Sequence, residues 1–119
     1  MKLIIGIATN AQIRQRTIDI AAGRIKRQDS DPKIWVTSME SVGRLLNADN
    51  MAMIDTIREQ HPATISDLAK LMHREQSNVS RTLKRMAEFH IVEFVESSGK
   101  KTPVVTWDEI SIVPMKLAA

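Results

Sequence analysis

No cysteine occurs among the 119 residues, which excludes disulfide frameworks, thiolate zinc sites and cysteine nucleophiles and fits a reducing cytoplasm. Aromatics are scarce too, at 3%. Long apolar runs are also missing. The longest, Leu3 to Ala8, is far short of a membrane span or a signal-peptide core, and no Arg-rich presequence precedes it. The chain is therefore expected to be soluble, unprocessed and free of any membrane role. At 13.4 kDa it has room for one compact domain and a short appended arm, which rules out a large multidomain enzyme. With 43% hydrophobic and 26% charged residues, the composition is that of a globular chain with a small core, not of a disordered one.

A strong charge of one sign is likewise absent: 17 basic residues against 14 acidic give +3. The distribution is more informative than the total. Residues 1–33 hold seven basic and three acidic side chains, 34–60 two and four, 61–90 five and three, and 91–119 three and four. Two basic blocks thus flank an acidic one, a pattern compatible with a polyanion-binding surface.

Leu3 to Ile7, interrupted by Gly6, reads as a strand, and Thr9 or Asn10 can cap a helix running to about Arg27. On that helix Ile18, Ala21, Ala22 and Ile25 form a narrow apolar stripe, with Arg16, Arg24 and Arg27 roughly opposite. The basic stripe suits a solvated face or a protein contact better than DNA. The lone strand should expose an edge, and a second protomer or a partner protein should cover both edge and stripe. Gln28 to Lys33 is a polar connector, which sets an arm (1–33) apart from a main body (34–119). Ile34 to Val36 is a short apolar run, and Ser38 or Ser41 opens the next helix. Val42, Leu45 and Leu46 lie on one short helix, and Met51, Ile54 and Ile57 on a second that ends before Pro62. Thr64 and Asp67 form a capping-box pattern for a third, with Ile65, Leu68, Ala69, Leu71 and Met72 inward. His73 and Arg74 make the turn to a fourth helix, Glu75 to Phe89, with Val79, Leu83, Met86 and His90 at core spacing. Ile91 to Glu96 and Val104 to Trp107 read as strands around a polar tip, Ser97 to Lys101, and Glu109 to Val113 as a third strand.

Helix, short turn, helix and a hairpin with a basic tip is the layout of a winged helix-turn-helix, whose second helix enters a major groove. The fold class expected is mainly α with a small β component (α+β), extended by the N-terminal strand-helix arm. With Val79, Leu83 and Met86 inward, a 100° step per residue turns Ser77, Arg81 and Lys84 outward and sets Asn78, Ser80 and Arg85 on the shoulders. Asn and Gln suit adenine edges, Arg suits guanine, and Ser suits a base or a phosphate. Gln76, Ser77 and Asn78 occupy the first turn, where base edges are reached and the helix N-terminus is partly positive. Arg74 in the turn joins the candidate DNA-binding set, and Lys100 and Lys101 would let the hairpin tip lie along a neighbouring groove. The plain alternatives are a solvated amphipathic helix and a soluble turn.

The stretch Thr64 to Val92, with S-x-V-S-R-T-L at Ser77 to Leu83, resembles the winged helix-turn-helix of MarR-like and ArsR-like transcriptional regulators. More widely, KLIIGIA at the start, KIWVTSMES at Lys33 to Ser41 and D-E-I at Asp108 resemble a group of small prokaryotic winged-helix DNA-binding proteins regarded as antitoxin-like. The resemblance implies that Gln76, Ser77, Asn78 and Arg81 face DNA while Val79 and Leu83 pack inside. It also implies two functions: a DNA-binding regulator, expected to be a homodimeric repressor, or an antitoxin-like protein whose arm neutralises a toxin-like partner.

Other chemistries find no constellation. His61, His73 and His90 lack metal-site spacing, Asp55 and Glu59 beside Arg58 suit an ion-pair face, and Met51, Met53, Met72 and Met86 suit core filling. Phosphate-loop motifs are absent, and no serine has a triad partner. No catalytic residue, metal or cofactor is expected.

Overall fold

The computed structural model describes residues 1–115. It is a mixed α/β chain of five helices and five strands: β1 (Lys2–Ile7), α1 (Asn10–Ala21), β2 (Ile34–Val36), α2 (Met39–Leu45), α3 (Ala48–Gln60), α4 (Ile65–Met72), α5 (Gln76–Glu88), β3 (Glu93–Ser97), β4 (Lys100–Val104) and β5 (Glu109–Pro114). The chain divides otherwise than at Lys33. One unit comprises Met1–Glu40 and the chain from Asp108, the other Ser41–Trp107.

In the first unit β1, α1 and β2 form a parallel crossover, and β5 adds a third parallel strand in the order β2-β1-β5. The expected open edge on β1 is therefore corrected. Apolar Ile34–Val36 and Ile110–Val113 supply partners from the same chain, and β1 is the central strand, with Leu3 and Ile5 fully buried. A strand paired on both sides needs no second protomer to cover it. Nor does β5 extend the hairpin. Gly6 sits opposite Trp35 in register, and a Cβ there would collide with the Trp35 ring and come within 2.9 Å of Pro32 Cγ. Only glycine leaves room for that indole.

Thr9 starts α1 with a reciprocal capping box, its hydroxyl accepting from the Gln12 backbone N–H (3.1 Å) while the Gln12 side-chain oxygen accepts from the Thr9 backbone N–H (2.8 Å). The helix ends at Ala21, six residues before Arg27. Gly23 adopts φ +77°, and the N–H groups of Gly23 and Arg24 donate back to the carbonyls of Ile20 and Asp19. This is a Schellman closure, for which the left-handed glycine is the signal. No residue of α1 is buried.

In the second unit Val42 and Leu45 of α2, Met53, Ile54 and Ile57 of α3, Leu68 and Ala69 of α4 and Val79, Leu83 and Met86 of α5 form the core, with Ile91, Val92 and Pro103. Met51 (53% exposed) and Leu71 (46%) lie outside it, contrary to the periodicity reading. On α3 the inward set is Asn50, Met53, Ile54 and Ile57, a full i, i+3, i+4, i+7 stripe that places Met51 on the solvent side. Asn47 caps α3 by accepting from the Asn50 N–H at 2.9 Å, and Thr64 caps α4 by accepting from Asp67 N–H at 3.0 Å. His61 and His73 close those helices in the left-handed region. His90 follows α5 instead of belonging to it: the helix stops at Glu88 and His90 turns left-handed at φ +60°.

The hairpin turn is Ser98-Gly99, both residues with positive φ, so Ser97 pairs with Lys100. Two consecutive left-handed residues make the two-residue turn whose twist suits a hairpin. The return strand accordingly begins at Lys100, not Val104, and Lys100 and Lys101 are its first residues. Thr102 Oγ1 donates to the Ala63 carbonyl at 2.7 Å. Buried Trp107 donates from its indole N–H to Ile91 O at 2.8 Å, with Arg58 stacked 4.3 Å from the ring centroid.

Candidate functional site

A dense set of exposed hydrogen-bonding and cationic groups lies on α5, and its direction is fixed by what the helix buries. Val79, Leu83 and Met86 are inaccessible to solvent. Ser77, Arg81 and Lys84 point away from them and are exposed, as are Gln76, Asn78 and Arg85, while Ser80 and Arg74 are half-buried. The first turn holds no acidic side chain, and Glu75 makes no side-chain cap. The N–H groups of the first turn therefore have no side-chain acceptor from the N-cap residue.

Four of the expected residues are brought together. Arg74, Asn78, Arg81 and Arg85 line one open cleft of about 190 Å³ along the shoulder of α5, with Thr82 on its wall. Within it Arg81 Nη2 donates to Asn78 Oδ1 at 2.8 Å. This bond holds the two side chains side by side and leaves the Asn78 amide NH2 and the remaining Arg81 N–H groups as donors. Arg74 is anchored from beneath: its Nη1 donates to Asn50 Oδ1 at 3.5 Å and lies 3.9 Å from Met53 Sδ. Among the described residues none of Arg74, Arg81, Lys84 and Arg85 is in an ion pair. Gln76, Ser77 and Lys84 lie on the exposed face outside the cleft, and Ser80 on the opposite shoulder.

Lys100 and Lys101 stand apart, on β4. Lys101 Nζ is 3.9 Å from the carboxylate of Glu96, its cross-strand partner, and 6.0 Å from the Phe94 ring centroid. The two lysines are therefore unequal, since a neighbouring carboxylate offsets one of them.

The basic stripe of the first unit is largely neutralised within the chain. Arg24 Nε donates to Asp19 Oδ1 at 2.8 Å, and that bond, with one from Gln15, holds the Asp19 carboxyl below the usual aspartate range. The Asp31 carboxyl is held low first by the Gln28 backbone N–H and then by Arg16, each at 2.8 Å. Asn50 and Thr82 were not among the residues singled out from sequence. Spacing carries a signal for both: Asn50 occupies a core position on α3, four before Ile54 and seven before Ile57, and Thr82 lies four residues after Asn78.

Residues 45–112 match the HVO_A0114 family, a span that includes the whole of α3, α4, α5 and the hairpin. No curated protein matches the chain.

Proposed function

We propose that this chain, which belongs to the HVO_A0114 family, is a sequence-specific DNA-binding transcriptional regulator. In this reading α4, the turn at His73 to Glu75 and α5 are a winged helix-turn-helix of the MarR-like and ArsR-like kind, α5 is the recognition helix and β3–β4 the wing. The observation that carries it is the α5 face itself: Asn78, Arg81, Lys84 and Arg85 are exposed, unneutralised by any carboxylate among the described residues, and mounted on a helix whose other side is locked into the core. Guanidinium and amide donors presented on a rigid helix suit base edges and phosphates. The protein acts as a homodimeric repressor in the cytoplasm, two recognition helices meeting half-sites roughly one helical turn apart. It needs no cofactor and performs no catalysis.

A gel shift of the full-length protein on the DNA upstream of its own gene, with random duplex as competitor, tests this. Retention of the upstream fragment against excess competitor is expected, and equal competition by random DNA would refute sequence specificity. A second reading, an antitoxin-like arm that binds a toxin-like partner, draws on α1, which buries no residue and leaves Ile18 47% exposed and Ile25, beyond its end, 37%. Ile18→Asp in the full chain separates the two. Loss of the dimer in light scattering favours self-association. Loss of binding to the co-expressed product of an adjoining gene, with the dimer intact, favours the antitoxin-like arm.

A further inference from the structure

We infer that Asn78 and Arg81 act as one donor-only head that reads two neighbouring G·C base pairs by their guanines, an inference that rests on the DNA-binding reading above. Taken singly, an exposed asparagine is two-sided: its amide N–H gives and its carbonyl accepts, which matches the adenine edge, where the acceptor N7 stands beside an amino group. Here the carbonyl is already engaged. Arg81 Nη2 donates to Asn78 Oδ1 at 2.8 Å, and a second donor approaching that oxygen meets the guanidinium already beside it. What Asn78 has left for a base is its NH2 group.

The rest of the cleft is one-sided in the same way. Three guanidinium groups, Arg74, Arg81 and Arg85, line it with Asn78, and no carboxylate does among the described residues. Arg74 precedes Asn78 by one helical turn, and its Nη1 donates to Asn50 Oδ1 at 3.5 Å, so the amide oxygen beneath the cleft is engaged as well. Thr82 on the wall has a hydroxyl that gives as readily as it accepts and adds no fixed acceptor.

The base pairs differ in how they meet such a head. In the major groove a G·C pair keeps two acceptors, N7 and O6, side by side on guanine and sets its amino group at the cytosine end, whereas an A·T pair places the adenine amino group between its acceptors. The first offers a donor-only head two bonds; the second turns an N–H toward a guanidinium. Arg81 keeps its other N–H groups for the forked contact to one guanine, and the Asn78 NH2 donates to the next. Three residues separate the two side chains, about 4.5 Å along the helix axis, near the rise of about 3.4 Å from one base to the next on a strand. Neighbouring side chains therefore suit neighbouring base pairs.

The test is selection of binding sites from a randomised duplex library by the full-length protein and three variants of this exposed pair. Wild type should enrich guanine at two neighbouring positions. Asn78→Ala should leave one of them random and Arg81→Ala the other, each with a loss on the order of tenfold in the preference for guanine there. Asn78→Asp keeps an oxygen for Arg81 and removes the N–H groups, so it too should lose guanine at the Asn78 position. Adenine at the position that Asn78→Ala randomises, guanine retained there in Asn78→Asp, or a selected site that neither alanine variant changes overturns the donor-only head and leaves DNA binding standing. A wild-type protein that enriches no sequence overturns the reading as a sequence-specific DNA-binding protein, and the head with it.

Discussion

α1 and α5 are nearly equal in length, twelve and thirteen residues, and both carry arginines, yet they are opposite kinds of helix. α5 buries three side chains completely, whereas α1 buries none. Arg16 and the nearby Arg24 pair with Asp31 and Asp19, while Arg81 and Arg85 have no anionic partner among the described residues. A cationic stripe in a sequence therefore becomes a candidate binding surface only when two further things hold. The opposite face must be fixed in a core, which sets its direction, and the chain must not supply the counterions itself.

The strongest way to break this contrast is through stability. Leu83→Ala should cost about 2–5 kcal/mol in chemical denaturation, the range for a buried leucine truncated in a packed core. Ile18→Ala, on a half-exposed site, should stay within about 0.5 kcal/mol. Equal losses would mean that α1 is buried in solution and that the two helices do not differ as described.

Binding sharpens the contrast next. Arg81→Ala and Asn78→Ala should each cost about 1–3 kcal/mol of discrimination between upstream and random duplex, with the fold intact. Because Arg81 donates to Asn78, the double variant should lose less than the sum of the two. Arg16→Ala, whose charge is paired with Asp31, should leave discrimination unchanged. Additive losses would show that the two α5 side chains act separately.

Gly6→Ala probes the first unit at the one place where its packing is exacting. A methyl group must displace the Trp35 ring or Pro32, and overpacking of this kind costs about 1–3 kcal/mol. Retained stability with unchanged Trp35 fluorescence would place the indole elsewhere.

Periodicity was enough to locate all five helices, and the inward triplet Val79, Leu83 and Met86 was legible because α5 is strongly two-faced. Outward directions for Ser77, Arg81 and Lys84 followed from the same geometry. The sheet was not legible. Parallel pairing joins β1 to β5 across more than a hundred residues, and no local pattern encodes a partner so distant, so β1 reads as an open edge. The end of α1 was misjudged because Gly23 acts through positive φ, which apolar spacing does not register, whereas α5 ends within a residue of the expected Phe89. The cleft on α5 was half legible. Arg74, Asn78, Arg81 and Arg85 are near in sequence, while Asn50, which anchors Arg74, joins them only through the packing of α3.

Smaller effects separate the hairpin lysines. Lys101 already faces Glu96, so a phosphate must compete with a carboxylate for it, whereas Lys100 is unpaired among the described residues. Lys100→Ala should make the salt dependence of DNA binding shallower by about one contact, and Lys101→Ala by clearly less. Equal slopes would mean that DNA displaces Glu96 entirely.

The smallest predicted effect is acid sensitivity in the first unit. Asp31 accepts from the Gln28 N–H and from Arg16, which depresses its folded pKa. A depressed carboxylate binds protons more readily when unfolded, so its stabilisation is present above the ordinary aspartate range and is lost as pH falls through the lower, folded value. The connector from Gln28 to Lys33 should therefore loosen below the ordinary aspartate range. Trp35 lies 5.5 Å from the Arg16 guanidinium and offers the signal. Its fluorescence should change below the normal aspartate range in wild type. In Asp31→Asn, whose amide does not titrate, the acid step should be missing. A wild-type step that persists in Asp31→Asn would assign the titration to another group, with Asp19 as the next to substitute.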